Sequence, residues 1–243
     1  MKKLTYDPQV WKILKNVSGI CNMIYVGKKD NKNFIAHKNN NIAYIIKMSD
    51  KYLDTKGTDL VFKDFREFFS VLNTVDKEPT IEVSQDKFLI KSKDDKIKIN
   101  FVMGNSKLVQ KVEADPKLTD WEGQFILDSE TLAKIKEISK LIGLISDLNK
   151  PKIDINISTD GKITFKFDDK NPGNQNNFEY TFDNEVKIDK EINETLNIQS
   201  IMDLPTGDYK VKLSTGNIRL ANFELANSDK DLSINFFCGY FKN

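Results

Sequence analysis

The sequence repeats itself at half its length, and this repeat constrains the fold more than any other feature. At an offset of 121 residues, Leu4–Asp7 falls on Phe125–Asp128, and apolar positions continue to coincide as far as Ile20 and Leu141. Both segments are typical of a short strand, then an aspartate, then a helix. An aspartate at a helix N-cap accepts a hydrogen bond from an otherwise unpaired backbone N–H. The chain is therefore predicted to contain two similar folding units.

The remainder of each half combines strand patterns with one further helical segment. In the first half the predicted elements are a second amphipathic helix over Lys63–Val75 and strands over Cys21–Val26, Asn33–His37, Ile42–Met48, Thr80–Ser84, Phe88–Ser92 and Lys96–Met103. In the second half they are a helical turn near Ile198–Asp203 and strands over Lys152–Ser158, Lys162–Asp168, Phe178–Phe182, Glu185–Ile188, Tyr209–Ser214, Asn217–Leu225 and Leu232–Phe237. Asp160-Gly161 is a strong hairpin signal between two of these strands.

These patterns predict an α+β fold made of two similar domains. Mostly antiparallel strands interrupted by a few helices indicate sheets that carry their helices on one face. The predicted domains cover residues 1–104 and 123–243. Residues 105–122, which have no clear periodicity, are predicted to form the connector between them.

The composition is typical of a soluble globular protein. The chain has 243 residues, 39% hydrophobic and 30% charged, which is enough to bury a core in each of two domains. No apolar run approaches the roughly 20 residues that cross a bilayer, and the N-terminus has no signal-peptide pattern. The two cysteines, Cys21 and Cys238, are too few for a disulfide framework and favour a reducing, cytoplasmic compartment.

The charge is balanced overall but not along the chain. The net charge is +1, with 19 basic against 13 acidic residues in positions 1–104 and 18 against 23 in positions 105–243. A protein that holds DNA by charge alone is expected to be strongly basic. Any contact with DNA must therefore be local, or must depend on something other than charge.

Three stretches in this order and spacing resemble a known family. They are the opening strand and helix over Leu4–Ile20, the apolar-patterned helix over Asp64–Leu72, and Leu204–Val211 before a terminal hairpin. Together with the duplication and the long connector, they resemble the sliding clamps of DNA replication. The resemblance is to the two-domain clamps of tailed phages, which are similar to the PCNA family, and it covers essentially the whole chain.

This resemblance implies a ring of three subunits that encircles double-stranded DNA and acts as a polymerase processivity factor. Two helices from each domain would line the central hole, and antiparallel sheets would form the outer wall. An ATP-dependent clamp loader would open the ring, and a DNA polymerase would be tethered to one of its faces. In some phages the clamp also assists late transcription, so late-transcription factors are a further implied partner. A phage-encoded clamp would work in the cytoplasm of the bacterial host.

The helix faces are consistent with such a lining. Val10, Ile13, Leu14 and Val17 form the predicted apolar stripe of the first helix, Phe65, Phe68, Phe69 and Leu72 that of the second, and Leu132, Ile135, Ile138 and Ile142 that of the third. The predicted DNA-facing residues are Lys12, Lys15, Arg66, Lys134, Lys136 and Lys140. Three acidic residues, Glu67, Glu130 and Glu137, share these faces, and lysines on an exposed helix are also typical of ordinary solvation.

The predicted partner-binding residues lie in the connector and at the C-terminus. The clamp family docks partner peptides in an apolar pocket between these two regions, which here contain Leu108, Val109, Leu118, Trp121, Tyr240 and Phe241. A short partner tail that inserts one or two apolar side chains is the expected mode. Trp121 is also open to a structural role as an anchor at the start of the second domain.

The motifs of catalysis are missing from the sequence. His37 is the single histidine and lies in an alternating strand pattern, which leaves a Ser-His-Asp or Cys-His arrangement without support. No phosphate-binding loop, dinucleotide fingerprint or paired-cysteine metal spacing occurs. The neighbouring carboxylates Asp94 and Asp95 are typical of a solvated turn. The sequence therefore predicts no enzyme activity, no metal and no cofactor.

Two other functions remain open from the sequence alone. One is a phage structural protein, such as a strand-rich tail or baseplate component that oligomerises through its sheet edges. The other is a small nucleic-acid enzyme whose site the sequence does not reveal. The repeat and the basic helix faces favour the clamp over both.

Overall fold

The computed structural model describes residues 1–38, 42–109, 120–145, 152–168, 177–183, 186, 188, 190–226, 228 and 230–240, and at residues 9, 12, 142–145, 168 and 177 it describes the backbone alone. Its contacts divide the chain into two compact units. The first comprises Met1–Asn39, Tyr44–Asp115 and Ser228–Ile234, and the second comprises Asn40–Ala43, Pro116–Asn227 and Asn235–Asn243. Each unit is drawn mainly from one half of the chain. The predicted limits of the domains and of the connector stay a prediction.

The first unit combines helices with short antiparallel strands. The helices are α1 (Pro8–Val17) and α2 (Phe65–Val75), and a 3-10 turn covers Ser106–Leu108. The strands are β1 (Lys2–Lys3), β2 (Thr5–Tyr6), β3 (Ile24–Lys29), β4 (Lys32–Lys38), β5 (Ala43–Met48), β6 (Leu53–Asp54), β7 (Leu60–Phe62), β8 (Thr80–Val83), β9 (Lys87–Lys91) and β10 (Lys98–Val102). One antiparallel sheet has the order β1-β8-β9-β10, and a second run of strands has the order β7-β3-β4-β5. Strand β2 pairs with β6.

An aromatic core joins α2 to both of these sheets. Phe68 of α2 is fully buried, with its ring centroid 4.7 Å from that of Phe62 on β7 and 4.9 Å from that of Phe88 on β9. Phe62 and Phe88 stack on each other at 4.8 Å. Such ring pairs contribute beyond the area that they bury, so this core determines where α2 lies.

The second unit repeats this plan. Its helices are α3 (Ser129–Ile145) and α4 (Ile198–Asp203). Its strands are β11 (Gly123–Leu127), β12 (Lys152–Ile157), β13 (Lys162–Asp168), β14 (Asn177–Asp183), β15 (Ile192–Asn197), β16 (Tyr209–Ser214), β17 (Leu220–Leu225) and β18 (Leu232–Gly239), of which β18 begins in the first unit. The strand orders are β14-β13-β12-β15 and β11-β16-β17-β18, with antiparallel pairing throughout. The predicted α+β fold with two similar units is confirmed.

Each of the three predicted apolar stripes, on α1, α2 and α3, differs from the buried face of its helix at one position or more. In α1, Ile13 is only half-buried, and Trp11 contributes to the core instead, at 4% exposure. In α2, Phe69 is half-buried. In α3, Ile138 is half-buried whereas Ser139 is buried, because the Ser139 hydroxyl donates to the carbonyl of Ile135 at 2.7 Å and so enters the core without an unpaired polar group. The side chain of Ile142 lies outside the described residues.

Most strand boundaries agree with the sequence to within a few residues, but four strands were not predicted. These are β1, β6, β7 and β15. The predicted strand over Cys21–Val26 begins only at Ile24. Of the predicted strand over Glu185–Ile188 only Val186 and Ile188 are described, and neither lies in a strand. Helix α2 begins at Phe65 rather than Lys63, because Asp64 is its N-cap and its carboxylate accepts from the backbone N–H of Glu67 at 3.0 Å.

Candidate nucleic-acid interface

A shallow depression between α1 and α2 contains two of the predicted DNA-facing cations. We call it the anion crevice, and it is lined by Lys15, Asn16, Ser18, Gly19, Arg66, Phe69, Ser70 and Asn73. The caps and apolar contacts of the helices place these residues, since the burial of Leu14 and Phe68 turns Lys15 and Arg66 towards solvent.

Both cations rest against specific neighbours in the crevice. The ammonium group of Lys15 lies 4.9 Å from the ring centroid of Phe69, which is within the range of a cation–π contact. The guanidinium group of Arg66 lies over Gly19, where the Cβ atom of any larger residue would come to 3.9 Å from its Nη2 atom. The half-buried Phe69 ring and the bare backbone at Gly19 therefore form the floor beneath the two charges.

Among the residues that the structure describes, no anionic side chain lies in the crevice beside these charges. None of its lining residues is a carboxylate, and neither Lys15 nor Arg66 forms an ion pair with any described residue. The hydroxyl of Ser18 donates to the Lys15 carbonyl at 2.6 Å, and that of Ser70 donates to the Arg66 carbonyl at 2.9 Å. The arrangement is electropositive and suited to an anionic ligand.

Lys12 belongs to α1, but its side chain lies outside the described residues. The backbone of α1 places position 12 three residues before Lys15 on the same helix. Its predicted contact with DNA stays a prediction.

The predicted cations of the second unit have different surroundings. Lys134 is exposed and lies 3.4 Å from the carboxylate of Glu137. Lys136 is half-buried, and its ammonium group donates to the carbonyls of Leu204 and, at 3.2 Å, Met202. Burial lowers the pKa of Lys136 below its ordinary value. Lys140 is exposed.

Lys136 therefore performs a structural task at the end of α4. Carbonyl groups in the last turn of a helix lack intrahelical partners and carry the negative end of the helix dipole. An ammonium group that donates to them stabilises this end. The Lys136 charge is directed into the protein rather than held out on an open helix face.

The predicted partner-binding residues are described only in part. Leu108, in the 3-10 turn after β10, is 74% exposed, and Val109 beside it is buried. These two belong to the first unit, whereas the half-exposed Trp121 and Tyr240 belong to the second. Leu118 and Phe241 lie outside the described residues.

A polar cluster near Tyr240 was not predicted from the sequence. Glu194 is buried and accepts from Arg219 at 2.6 Å, and burial raises the pKa of the Tyr240 hydroxyl, with the nearby Glu194 carboxylate adding to the effect. This hydroxyl has no hydrogen-bond partner in the described residues. A glutamate at an inward position of β15 breaks the strand's apolar alternation, and this break was the only signal in the sequence.

The described residues show no arrangement for metal binding. No group of three or more histidine, cysteine, aspartate or glutamate side chains in this part of the chain could hold an ion. His37 lies in β4, where burial lowers the pKa of its imidazole. No helix in the described ranges is long and apolar enough to span a bilayer.

Comparison with known proteins shows which fold this is. No protein-family model matches the chain, and no curated protein matches it. Among solved structures it is similar to the Proliferating Cellular Nuclear Antigen of Entamoeba histolytica (TM-score 0.72, 13% identity, covering 99% of this chain and 98% of that one). It is also similar to A. fulgidus PCNA bound to the C-terminal region of FEN-1 (TM-score 0.70, 7% identity, 99% and 98%). A third similar structure is the Helicobacter pylori beta clamp bound to a DNA ligase peptide (TM-score 0.66, 13% identity, 100% and 67%). The chain therefore has the PCNA-like sliding-clamp fold.

Proposed function

We propose that this protein is a DNA sliding clamp, a processivity factor without enzymatic activity that encircles duplex DNA and tethers a replicative polymerase. The observation that carries this proposal is the whole-chain likeness to PCNA, which covers 99% of this chain and 98% of the Entamoeba histolytica protein. A match to part of the chain would support the clamp fold for one unit only, whereas this match covers both units. The electropositive crevice on α1 and α2 is the second support.

The proposed assembly is a homotrimeric ring. A closed ring of identical chains needs two different surfaces that fit each other head to tail. Among the described residues, strands β10 and β14 each end a four-stranded sheet, and each has one edge without a neighbouring strand. Lys98 on β10 and Glu179 on β14 have opposite charges, and each also pairs within the chain, with Asp95 at 3.8 Å and with Lys166 at 3.0 Å. The chain covers 67% of the length of the H. pylori clamp.

The small net charge is consistent with a protein that stays on DNA by enclosing it. A net charge of +1 gives little long-range attraction for DNA. A closed ring stays on DNA because it cannot pass over the strand, so it needs only weak, sequence-independent phosphate contacts, and these permit sliding.

The proposed partners are the polymerase and an ATP-dependent clamp loader, with late-transcription factors in a phage setting. Two of the similar structures hold a peptide or C-terminal region of a DNA-processing enzyme. We propose the same mode here, through the predicted residues Leu108, Val109, Leu118, Trp121, Tyr240 and Phe241, with the exposed Leu108 rather than the buried Val109 as the contact after β10. A phage-encoded clamp would act in the cytoplasm of its bacterial host.

The decisive experiment compares circular with linear DNA. Chains dissociated by dilution are concentrated in the presence of nicked circular DNA, so that rings close around it, and half of the sample is then cut once with a restriction enzyme. We expect the protein to stay on the circle and to leave the cut DNA through its free ends. Equal retention on both would rule out the clamp.

The mass in solution tests the ring independently. Light scattering should give about 84 kDa, which is three times the 28.0 kDa of one chain. Reversing the charge at one edge, with Glu179→Lys, should shift the mass towards the single chain. The double variant Glu179→Lys with Lys98→Glu should restore it. A mass that stays at one chain under all conditions would contradict the ring.

A further inference from the structure

We propose that Glu194, Arg219 and Tyr240 form an exchange latch in the second unit, in which the buried Glu194 carboxylate accepts a hydrogen bond either from the Arg219 guanidinium or from the Tyr240 hydroxyl. The structure shows the first of these two states. In the second state Arg219 turns to solvent and Tyr240 moves into its place. The latch goes beyond the proposed function, because it concerns how the end of the chain is held. Where the proposed function holds, it also sets the position of a predicted partner-binding residue, Tyr240.

The pairing of β17 with β18 brings Arg219 and Tyr240 side by side. The last pair in this antiparallel register is Leu220↔Gly239, and the next position places Arg219 opposite Tyr240. Side chains directly opposite each other on antiparallel strands share one face, with Cβ atoms about 5 Å apart. Tyr240 continues the alternation that buries Cys238, so the shared face is the inner one.

Glu194 reaches this pair from β15. It lies at an inward position between the buried Ile192 and Leu196, and only 6% of its surface is exposed. The Nη2 atom of Arg219 donates to its Oε2 atom at 2.6 Å, and no other described cation forms an ion pair with it. A buried carboxylate that loses its only charged partner is strongly destabilising, because its lost hydration is no longer compensated. Glu194 therefore needs a donor in every folded state.

The exposure of the three groups makes this donor exchangeable. The side chain of Arg219 is 42% exposed, so its guanidinium group can return to water, whereas the carboxylate cannot. The Tyr240 hydroxyl is shielded from solvent and has no hydrogen-bond partner among the described residues. Burial raises its pKa, and the negative charge of Glu194 adds to this effect, so the hydroxyl stays protonated and able to donate. A buried hydroxyl without a partner is unfavourable, and donating to Glu194 would remove this penalty.

Gly239 allows the movement that the exchange requires. It directly precedes Tyr240 and is exposed, and no described atom lies within 4 Å of the position that a Cβ atom would occupy. A glycine has more backbone freedom than any other residue. The Tyr240 ring can therefore shift towards Glu194 without disturbing the paired part of β18.

The test is a double-mutant cycle on the urea unfolding of the full-length protein, at neutral pH and constant chain concentration. Tyr240→Phe removes only the hydroxyl and should change the unfolding equilibrium constant less than about threefold, because no hydrogen bond is lost. Arg219→Met should raise this constant about tenfold, because Tyr240 supplies the missing donor. The double variant leaves the carboxylate without a donor and should raise the constant at least about tenfold beyond the product of the single effects. A double effect equal to that product would overturn the latch.

Two controls separate exchange from packing. Lys212 and Glu224 form an ion pair of similar length, 2.8 Å, on β16 and β17. Lys212→Met combined with Tyr240→Phe should give only the product of the single effects. In a Glu194→Gln background no buried charge needs a donor, so the coupling between Arg219 and Tyr240 should fall below about threefold. Coupling that persists with Glu194→Gln would come from packing and would overturn the latch.

A second measurement does not depend on stability. In protein labelled with fluorotyrosine, the fluorine NMR signal that Tyr240→Phe removes belongs to Tyr240. Arg219→Met should shift this signal, and Arg219→Lys, which keeps a cationic donor, should leave it near its wild-type position. A shift in Arg219→Met that is absent, or that is the same with Glu194→Gln, would overturn the exchange. Retention on circular DNA is read separately, so failure of the clamp proposal and failure of the latch are distinguished.

Discussion

Truncation of Phe68 to alanine tests whether one aromatic core holds α2, and with it Arg66, in place. The side chain is fully buried and lies within 6 Å, centroid to centroid, of Trp11, Phe62 and Phe88. Removing a buried phenyl ring costs about 3–5 kcal/mol of unfolding free energy through lost transfer energy and the cavity left behind. Since several ring pairs are lost with it, we expect a value near the upper end, about 4–5 kcal/mol.

The assay is urea unfolding followed by tryptophan fluorescence. Trp11 is part of the same core, with its ring centroid 5.9 Å from that of Phe68, so it reports the first unit. Replacing Trp121 with phenylalanine in all variants leaves Trp11 as the single reporter. The chain concentration is kept constant, because assembly of a ring adds a concentration-dependent stability.

The control is Phe69→Ala, one residue further along the same helix. Phe69 is half-buried at the floor of the anion crevice, so its truncation should cost about 1–2 kcal/mol, well below Phe68. If both variants lose the same stability, or if Phe68→Ala loses less than about 2 kcal/mol, the reasoning from this core is wrong.

Three further predictions concern other parts of the chain. Lys136→Met should lower the unfolding free energy by about 1–2 kcal/mol, because it removes the hydrogen bonds to the Leu204 and Met202 carbonyls. It should lower the affinity for duplex DNA less than Lys15→Gln does. An equal loss of affinity would show that Lys136 contacts DNA. Hydrogen bonds from Ser158 and Lys162 lower the pKa of the Asp160 carboxyl from 3.8 to about 2, so its stabilising contribution is full above pH 4 and is lost as the pH falls through about 2. NMR titration should show this low value, and Ser158→Ala should raise it; a pKa that stays near 3.8 in the wild type would contradict the hydrogen bonds. Leu108→Ser, at a 74% exposed position, should leave the unfolding free energy unchanged within about 0.5 kcal/mol and weaken binding of the polymerase's C-terminal peptide in calorimetry; unchanged binding would remove Leu108 from the partner surface.

Several elements were predicted from the sequence almost to the residue. Helix α4 over Ile198–Asp203 and strand β16 over Tyr209–Ser214 have the predicted bounds. The Asp160-Gly161 hairpin is confirmed, with Gly161 at a φ of +85° between the paired strands β12 and β13. These features depend on local signals, namely side-chain period and turn chemistry, which a sequence carries within a few residues.

The strands that were missed depend on distant partners. Strand β7 is three residues long and pairs with β3, which precedes it by more than thirty residues, in the register Ile24↔Phe62. Strand β15 includes the buried Glu194, whose charge is compensated by Arg219 on a different segment. A run of three residues is too short to show a periodic apolar pattern. A charged residue is predicted to lie on the surface until the residue that compensates its charge is known.

The candidate site likewise depends partly on local sequence patterns and partly on contacts between distant segments of the chain. The period of α1 and α2 is sufficient to place Lys15 and Arg66 on the side opposite Leu14 and Phe68, because an apolar stripe and its polar counterpart are both local properties of a helix. That these two cations share one crevice depends on how the helices cross, which contacts far apart in the chain decide.

By itself, the sequence determined the duplication, the α+β class, most of the core positions on the helices and the absence of catalytic motifs, since each of these follows from residue type and spacing. Tertiary structure alone decided which cations are open to a ligand. The sequence does not distinguish Lys15, Lys134 and Lys136, which are all lysines in predicted helices. In the structure the ammonium group of Lys15 lies over a phenyl ring, that of Lys134 pairs with a glutamate, and that of Lys136 caps the end of another helix. The charge of a lysine is fixed by its chemistry, whereas its availability depends on neighbours that only folding brings within a few ångströms.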